Sequence, residues 1–331
     1  MVGDAGAGPV HRLMGVSVCR MHGSVVEQLL AMRAEICRFN AQRGLRTAIW
    51  YSSGWFLQWH EGSAAAVEEA WRASHSHAGH SGHKLIHRSH GAAGLAGRLH
   101  LSTAHNRDTP EDVARRIHHI ERQHELGWSA NPIEVWQQLS APCLLREVDA
   151  MAAIARGNVV AVTSEFTQSV DLVKAVAEHE QADITYQRFA DGDLRSGDIG
   201  AAYVDVSDRG RMTRLQALSR RALGNAMVVR SLQHMECLVL LLGDRPEAAE
   251  RLAMAVSPLL AAMEVLPVVR LVGPSRYACQ LAAHALEQLP GLDISARKAG
   301  TPGRSLVGAL LGVIGELQKR APAEPAALDQ R

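Results

Sequence analysis

Apolar and polar positions change their period several times along the chain, and each change marks an element. Residues 11–18 (HRLMGVSV) form a short apolar run that ends at a polar turn over 19–24, the pattern of a strand. Val26, Leu29, Leu30, Ile36 and Phe39 then recur at helical spacing. Residues 47–54 and 55–60 are two short aromatic runs joined at Ser52-Ser53-Gly54, a composition that predicts a hairpin. Ser63 is placed to cap a helix reaching Ser74, with Val67 and Trp71 on one face. The apolar centre Leu85-Ile86 predicts a strand that puts His83, Leu85 and His87 on one face and Lys84, Ile86 and Arg88 on the other. Thr109-Pro110 with Asp112 opens a helix through Glu125, and Asn131-Pro132 opens another through Leu139.

Ser140-Ala141-Pro142 reads as a linker, and the texture changes after it. Strands are expected at 159–164, 184–190, 201–207, 226–232, 237–243, 268–273 and 292–296, and helices at 169–179, 212–223, 246–263, 276–289 and 305–320. Apolar strands alternating with helices of this length predict an α/β layer with a mostly parallel sheet, Rossmann-like or flavodoxin-like in architecture. The expected division is a flexible tail over 1–9, a first domain over 10–140, a linker over 141–157, an α/β domain over 158–320 and a disordered Pro/Ala-rich tail over 321–331.

Composition narrows the function classes. The 331 residues are 47% hydrophobic, enough for two cores, and the formal net charge of +1 provides no global field for nucleic acid or an anionic membrane. No apolar run has the length of a membrane span, and the N-terminal residues lack a secretory pattern, so the expected location is the cytoplasm. Five scattered cysteines without a CxxC pair argue against a disulfide framework and a cysteine-based zinc site. The turns near residues 163, 243, 273 and 300 show neither GxGxxG nor GxxxxGK[ST], there is no GxSxG elbow, and Asp205 and Asp208 are too generic to name an acid and a base. No motif declares an enzyme.

Asn40 and the stretch from residue 51 to 62 are more specific. RFNAQRGLRTAIWYSSGWFLQWHEG, between a strand-helix pair and a second helix, resembles the BLUF family of blue-light flavin photoreceptors over residues 10–140. The resemblance implies a ferredoxin-like sheet with two helices on one face and FAD between them. It also implies flavin contacts at Asn40, near the end of the first helix, and at Gln58, in FLQWHEG. The family's photoactive tyrosine lies in a first-strand pattern like L-I-Y-V-S, where this chain reads Leu13-Met14-Gly15-Val16-Ser17. Its later F-x-x-W-x-M pattern is replaced by Leu95 to Leu101, with Arg98 at the tryptophan position. Taken alone, Asn40 also suits a helix C-cap. The resemblance therefore implies a degenerate member without the tyrosine photocycle, a regulatory or sensor protein that signals through protein partners and self-associates as a homo-oligomer.

Seventeen histidines are the remaining bias, six of them between residues 74 and 90. Imidazole is the commonest metal ligand, so His75, His77, His80, His83, His87 and His90 are candidate ligands for a metal or haem. With no HExxH and no acidic residue between Trp71 and Asn106, a zinc hydrolase is not supported. A solvated low-complexity loop and a pH-responsive surface are the other readings of the same residues. A ligand-free assembly factor is the third function class.

Overall fold

The computed structural model describes residues 8–128, 131–141, 156–163, 166–192, 199–208, 211–232, 234–299 and 304–319. The expected tails over 1–7 and 321–331, most of the linker, Cys143, and the turns at 164–165 and 300–303 lie outside the described residues. The chain forms two compact units: Met1–Cys143 with Tyr186–Ile199 and Asn225–Met227, and the remainder.

The first unit begins with β1 (Val10–Cys19), α1 (Val25–Arg43), β2 (Arg46–Ser52), β3 (Trp55–Gly62), α2 (Ala64–Ser76) and β4 (His80–Gly91). β3 runs antiparallel to both β1 and β2, and β4 antiparallel to β1, giving the order β4-β1-β3-β2 of a ferredoxin-like layer. β5 (Leu99–His105) extends it parallel to β2, and β7 (Ile184–Asp191) pairs antiparallel with β5. Local chemistry explains the joints. Ser24 Oγ accepts from Glu27 N–H at the start of α1, and Gly44, at φ 63°, closes its end in the left-handed conformation that glycine adopts without strain. Ser53 and Gly54 (φ 47° and 80°) make the two-residue hairpin turn whose twist matches the strands. Each of α3 (Pro110–Glu125) and α4 (Pro132–Ser140) starts with proline behind a capping box, Thr109 with Asp112 and Asn131 with Glu134.

Strand alternation sends Met14, Val16, Trp50, Leu57 and Trp59 to the face covered by Ile117, Ile120, Trp136 and Leu139 of α3 and α4. The opposite face, with Leu13, Ile49, Phe56 and Leu99, packs against Val25 and Leu29 of α1 and Val67 and Trp71 of α2.

The second unit holds β6 (Arg156–Thr163), α5 (Phe166–Glu180), β8 (Ile199–Asp208), β9 (Arg211–Ser219), β10 (Cys237–Leu241), α7 (Pro246–Ala261), β11 (Val268–Gly273), α8 (Arg276–Leu286), β12 (Ile294–Lys298) and α9 (Arg304–Lys319). The strands β12-β11-β10-β6-β9 are all parallel, and β8 joins β9 antiparallel. Helices pack in two pairs, α5 with α9 and α7 with α8.

Two expected elements are exchanged. The helix expected over 212–223 is strand β9 followed by a 3-10 turn, Arg220–Gly224. Leu215 and Leu218 have helical spacing because a strand flanked on both sides is apolar on both faces, and Met212, Leu215, Ala217 and Leu218 are all buried. The strand expected over 226–232 is the short helix α6 (Ala226–Ser231), opened by the Asn225 side chain accepting from Met227 N–H. Its valine pair suggested a strand, but Asn225 supplies the stronger local signal.

Candidate functional site

Asn40 and Gln58 lie on the sheet face that α1 and α2 cover, and both are buried, 1% and 4% exposed. Asn40 does not cap α1, whose end is closed by Gly44. Instead its Nδ2 donates to the carbonyl of Arg98 (2.7 Å), and Thr47 Oγ1 donates to its Oδ1 (3.3 Å). Thr47 lies opposite His60 in the hairpin and is 3.1 Å from His60 Nδ1. His60 Nε2 is 3.4 Å from Gln58 Oε1. A buried polar chain thus runs from the Arg98 carbonyl through Asn40, Thr47 and His60 to Gln58. Burial pushes the His60 imidazole down to about 4, so at neutral pH it is neutral and has one N–H to give, either to the Thr47 hydroxyl or to the Gln58 amide oxygen.

The segment bearing Arg98 is anchored a second time. Glu61, 1% exposed, accepts from the backbone N–H groups of Gly94 and Leu95 at 2.8–2.9 Å. Gly94 needs to be glycine here, because a Cβ would lie 2.6 Å from the Trp59 ring.

Gly15, the position of the family's tyrosine, is the cross-strand partner of Gln58. A Cβ at this position would lie 2.1 Å from Cη2 and 2.3 Å from Cζ3 of Trp71. The indole from α2 therefore occupies the volume that a first-strand side chain would take. The exchange is reciprocal: glycine in β1 permits the tryptophan, and the tryptophan fills the gap that glycine leaves.

The six candidate metal ligands separate into three places. His75, at the end of α2, stacks on His83 of β4 with ring centroids 4.0 Å apart. His80 lies 5.8 Å from His83, 5.4 Å from His77 and 4.6 Å from Phe56, and Trp71 meets His75 and His83 edge-on. His87 instead faces His124 of α3, and His90 pairs with His11. The expected common face of His83 and His87 is corrected by the irregular pairing of β4 with β1. Met14 pairs with His87 but Gly15 with Leu85, so Ile86 is an extra residue and His83 and His87 point to opposite faces, before a second shift between Val16 and Val18 changes the phase again. Among the described residues, no three His, Cys, Asp or Glu side chains are grouped to hold one metal ion.

Other motifs resolve into structure. Asp205 is held by Arg214 through two hydrogen bonds of 2.8 and 2.9 Å, with the guanidinium stacked over Tyr203. Gly273 lets the backbone approach Leu242 O, 2.8 Å from where a Cβ would be, and Ser275 caps α8. Cys237 and Cys279 are buried and unbridged, whereas Cys19 and Cys37 are half-buried. No helix among the described residues is long and apolar enough to cross a membrane.

Thr47 and His60 are not singled out by the sequence, which marks Arg98 only as a departure from the family pattern and Trp71 only as a helix-face residue. His60 follows Gln58 by two residues on a strand, and the Ser53-Gly54 turn sets Thr47 opposite it, so that pair was derivable. Trp71 over Gly15 depends on how α2 docks, which no local pattern encodes.

No family model and no curated protein matches the chain. Among solved structures, BlsA in its ground state matches with a TM-score of 0.28 at 14% identity, covering 40% of this chain and 88% of that one. The BLUF protein BlrB in its dark state gives 0.25 at 18% identity, over 35% and 83%. BlrP1 BLUF gives 0.29 at 15% identity, over 43% of this chain and 99% of that one. These scores are low, and the fold described above rests on its own strand order.

Proposed function

We propose that this chain is a regulatory or sensor protein whose first unit is a BLUF-like module that does not run the family's tyrosine-driven photocycle, acting in the cytoplasm through protein partners rather than by catalysis. The observation that carries this reading is Gly15 covered by Trp71, beside a Gln58 held in an internal polar chain. Strand order, Asn40 and Gln58 support the BLUF-like part. The tyrosine is replaced by a residue with no side chain to oxidise.

A flavin ring does not fit this face as folded. Asn40 donates to Arg98 O, Gln58 Oε1 lies against His60, and the volume over Gly15 holds an indole. Seating the ring would require Trp71 to leave Gly15 and both amides to exchange partners. In this reading the second unit carries the output. Read along the chain, its parallel strands lie in the order 2-1-3-4-5, the doubly wound flavodoxin-like arrangement, a scaffold that by itself names no partner.

Absorption spectroscopy of the purified chain tests the reading. It is expected to lack the blue absorption of oxidised flavin and to retain none after incubation with FAD and desalting. Stoichiometric flavin with a reversible light-induced spectral shift would overturn it.

A further inference from the structure

We propose that His75, His77, His80 and His83, packed against Trp71 and Phe56, form an acid-sensitive latch that holds the end of α2 to the start of β4 while neutral and releases it when protonated. The geometry favours neutral rings at two of the four positions, His77 and His83. His75 Nδ1 is 2.9 Å from the carbonyl of Trp71, an acceptor, so Nδ1–H donates there and ties the ring to its own helix. His77 Nδ1 accepts from Gly79 N–H at 3.1 Å, a bond that an imidazolium, having no lone pair, cannot make. His83 donates to the backbone of Ser74, and its Nε2 is buried without a partner, so a proton added there would have no acceptor. His80 Nδ1 lies 2.9 Å from the buried Ser17 hydroxyl, which serves as donor or acceptor.

No carboxylate among the groups facing the rings compensates added charge, and His80 and His83 are partly shielded from water. From β1 they are faced by Ser17; from β3 by Phe56; and from the turn before α1 by Met21 and by Arg20, whose Nε donates to Ser81 Oγ. From α2 come Trp71, Ser74 and the exposed Arg72, while the helix's carboxylates are engaged elsewhere, Glu68 with Arg88 and Glu69 with Arg43. Among the described residues, no carboxylate is hydrogen-bonded to any of the four rings. Two positive imidazoles stacked 4.0 Å apart repel, and β4 is the outermost strand of its sheet, held on one side alone.

Burial and the neighbouring His77 and His83 push His80 down to about 4, and burial and His75 lower His83. A histidine lowered in the folded state stabilises it above the ordinary value of 6.5, and that stabilisation is lost as pH falls toward 4. At pH 5, His80 alone favours the open form by roughly thirtyfold over neutral pH.

Hydrogen exchange on the full chain at pH 7.5 and pH 5.0, corrected for intrinsic amide rates, tests the latch. Protection over residues 72–85 is expected to fall by at least about tenfold relative to β2 and α3. In the His75→Gln/His83→Gln variant this relative loss is expected to shrink. A uniform loss across the unit, or an unchanged local loss in the variant, would overturn the proposal and assign acid sensitivity to His60, His87 and His100. If the variant does not fold, histidine ring titration of the wild-type chain decides. Titration of His80 and His83 below the ordinary histidine value, with amide shifts over 72–85 moving in step, supports the latch, and ordinary independent titration with unmoved amides overturns it.

Discussion

Gly15 is where the loss of a side chain in one strand is matched by the gain of one in a helix. In a strand, replacing glycine by alanine ordinarily stabilises by roughly 0.5–1 kcal/mol, because the unfolded chain has less freedom to lose. Here the added methyl would lie within 2.3 Å of two Trp71 ring atoms, so the sign reverses. Gly15→Ala is expected to destabilise the chain by about 1–3 kcal/mol, the usual range for overpacking. Once Trp71→Ala has emptied the site, the same change should have little effect or stabilise. Urea denaturation of the two single variants and the double variant measures the coupling between them. Strictly additive effects would show that the indole does not rest on this glycine.

At the scale of elements, the segment between β4 and β5 is fixed by two buried polar anchors: Glu61 holds Gly94 and Leu95, and Asn40 holds Arg98. Glu61→Gln retains one acceptor oxygen but can turn an N–H₂ toward backbone donors, so a loss of about 1.5–3 kcal/mol is expected. It should appear as faster hydrogen exchange at Gly94 and Leu95, and unchanged exchange there would mean that the segment is held by other contacts. Much of the surrounding architecture was legible. The hairpin followed from its turn residues, α3 and α4 from proline behind a cap, and the alternation of Met14 and Val16 against Leu13 and Gly15 from strand period alone. What escaped comes from long-range packing, except at α6, where the local cap at Asn225 outweighs the valine pair. β9 carries apolar residues at helical spacing because both of its faces are covered, and α6 carries a valine pair that suits a strand. The extra residue at Ile86 exists only in the pairing of β4 with β1, so dividing His83 from His87 required the register itself. Gln58 and Asn40 could be named from their flanks, but their partners Thr47, His60 and Arg98 come from three other points along the chain.

At the scale of the whole chain, near-neutral net charge hides an asymmetry in how histidine is used. His60 and His100 are buried, 6% and 4% exposed, on opposite faces of one sheet, His60 in the polar chain and His100 beside Trp136 and Phe189. Burial pushes each of them down to about 4. On unfolding each regains its ordinary value near 6.5, so the unfolded chain binds more protons whenever the pH lies between those values. The sign follows: stability contributed by the neutral rings is complete above pH 6.5 and is lost as pH falls toward 4. By pH 5 each of the two favours the unfolded state by about 2 kcal/mol relative to neutral pH. Urea denaturation at pH 7.5, 6.0 and 5.0 is expected to show a steady fall in stability of the first unit, with most of the loss below pH 6.5. His60 and His100 lie outside the α2–β4 latch, so the His75→Gln/His83→Gln variant should keep this global loss while its local opening at residues 72–85 shrinks. A flat stability profile from pH 7.5 to 5.0 would mean that water reaches these two rings in the folded chain, and with it the buried chain from Arg98 to Gln58 would not be closed.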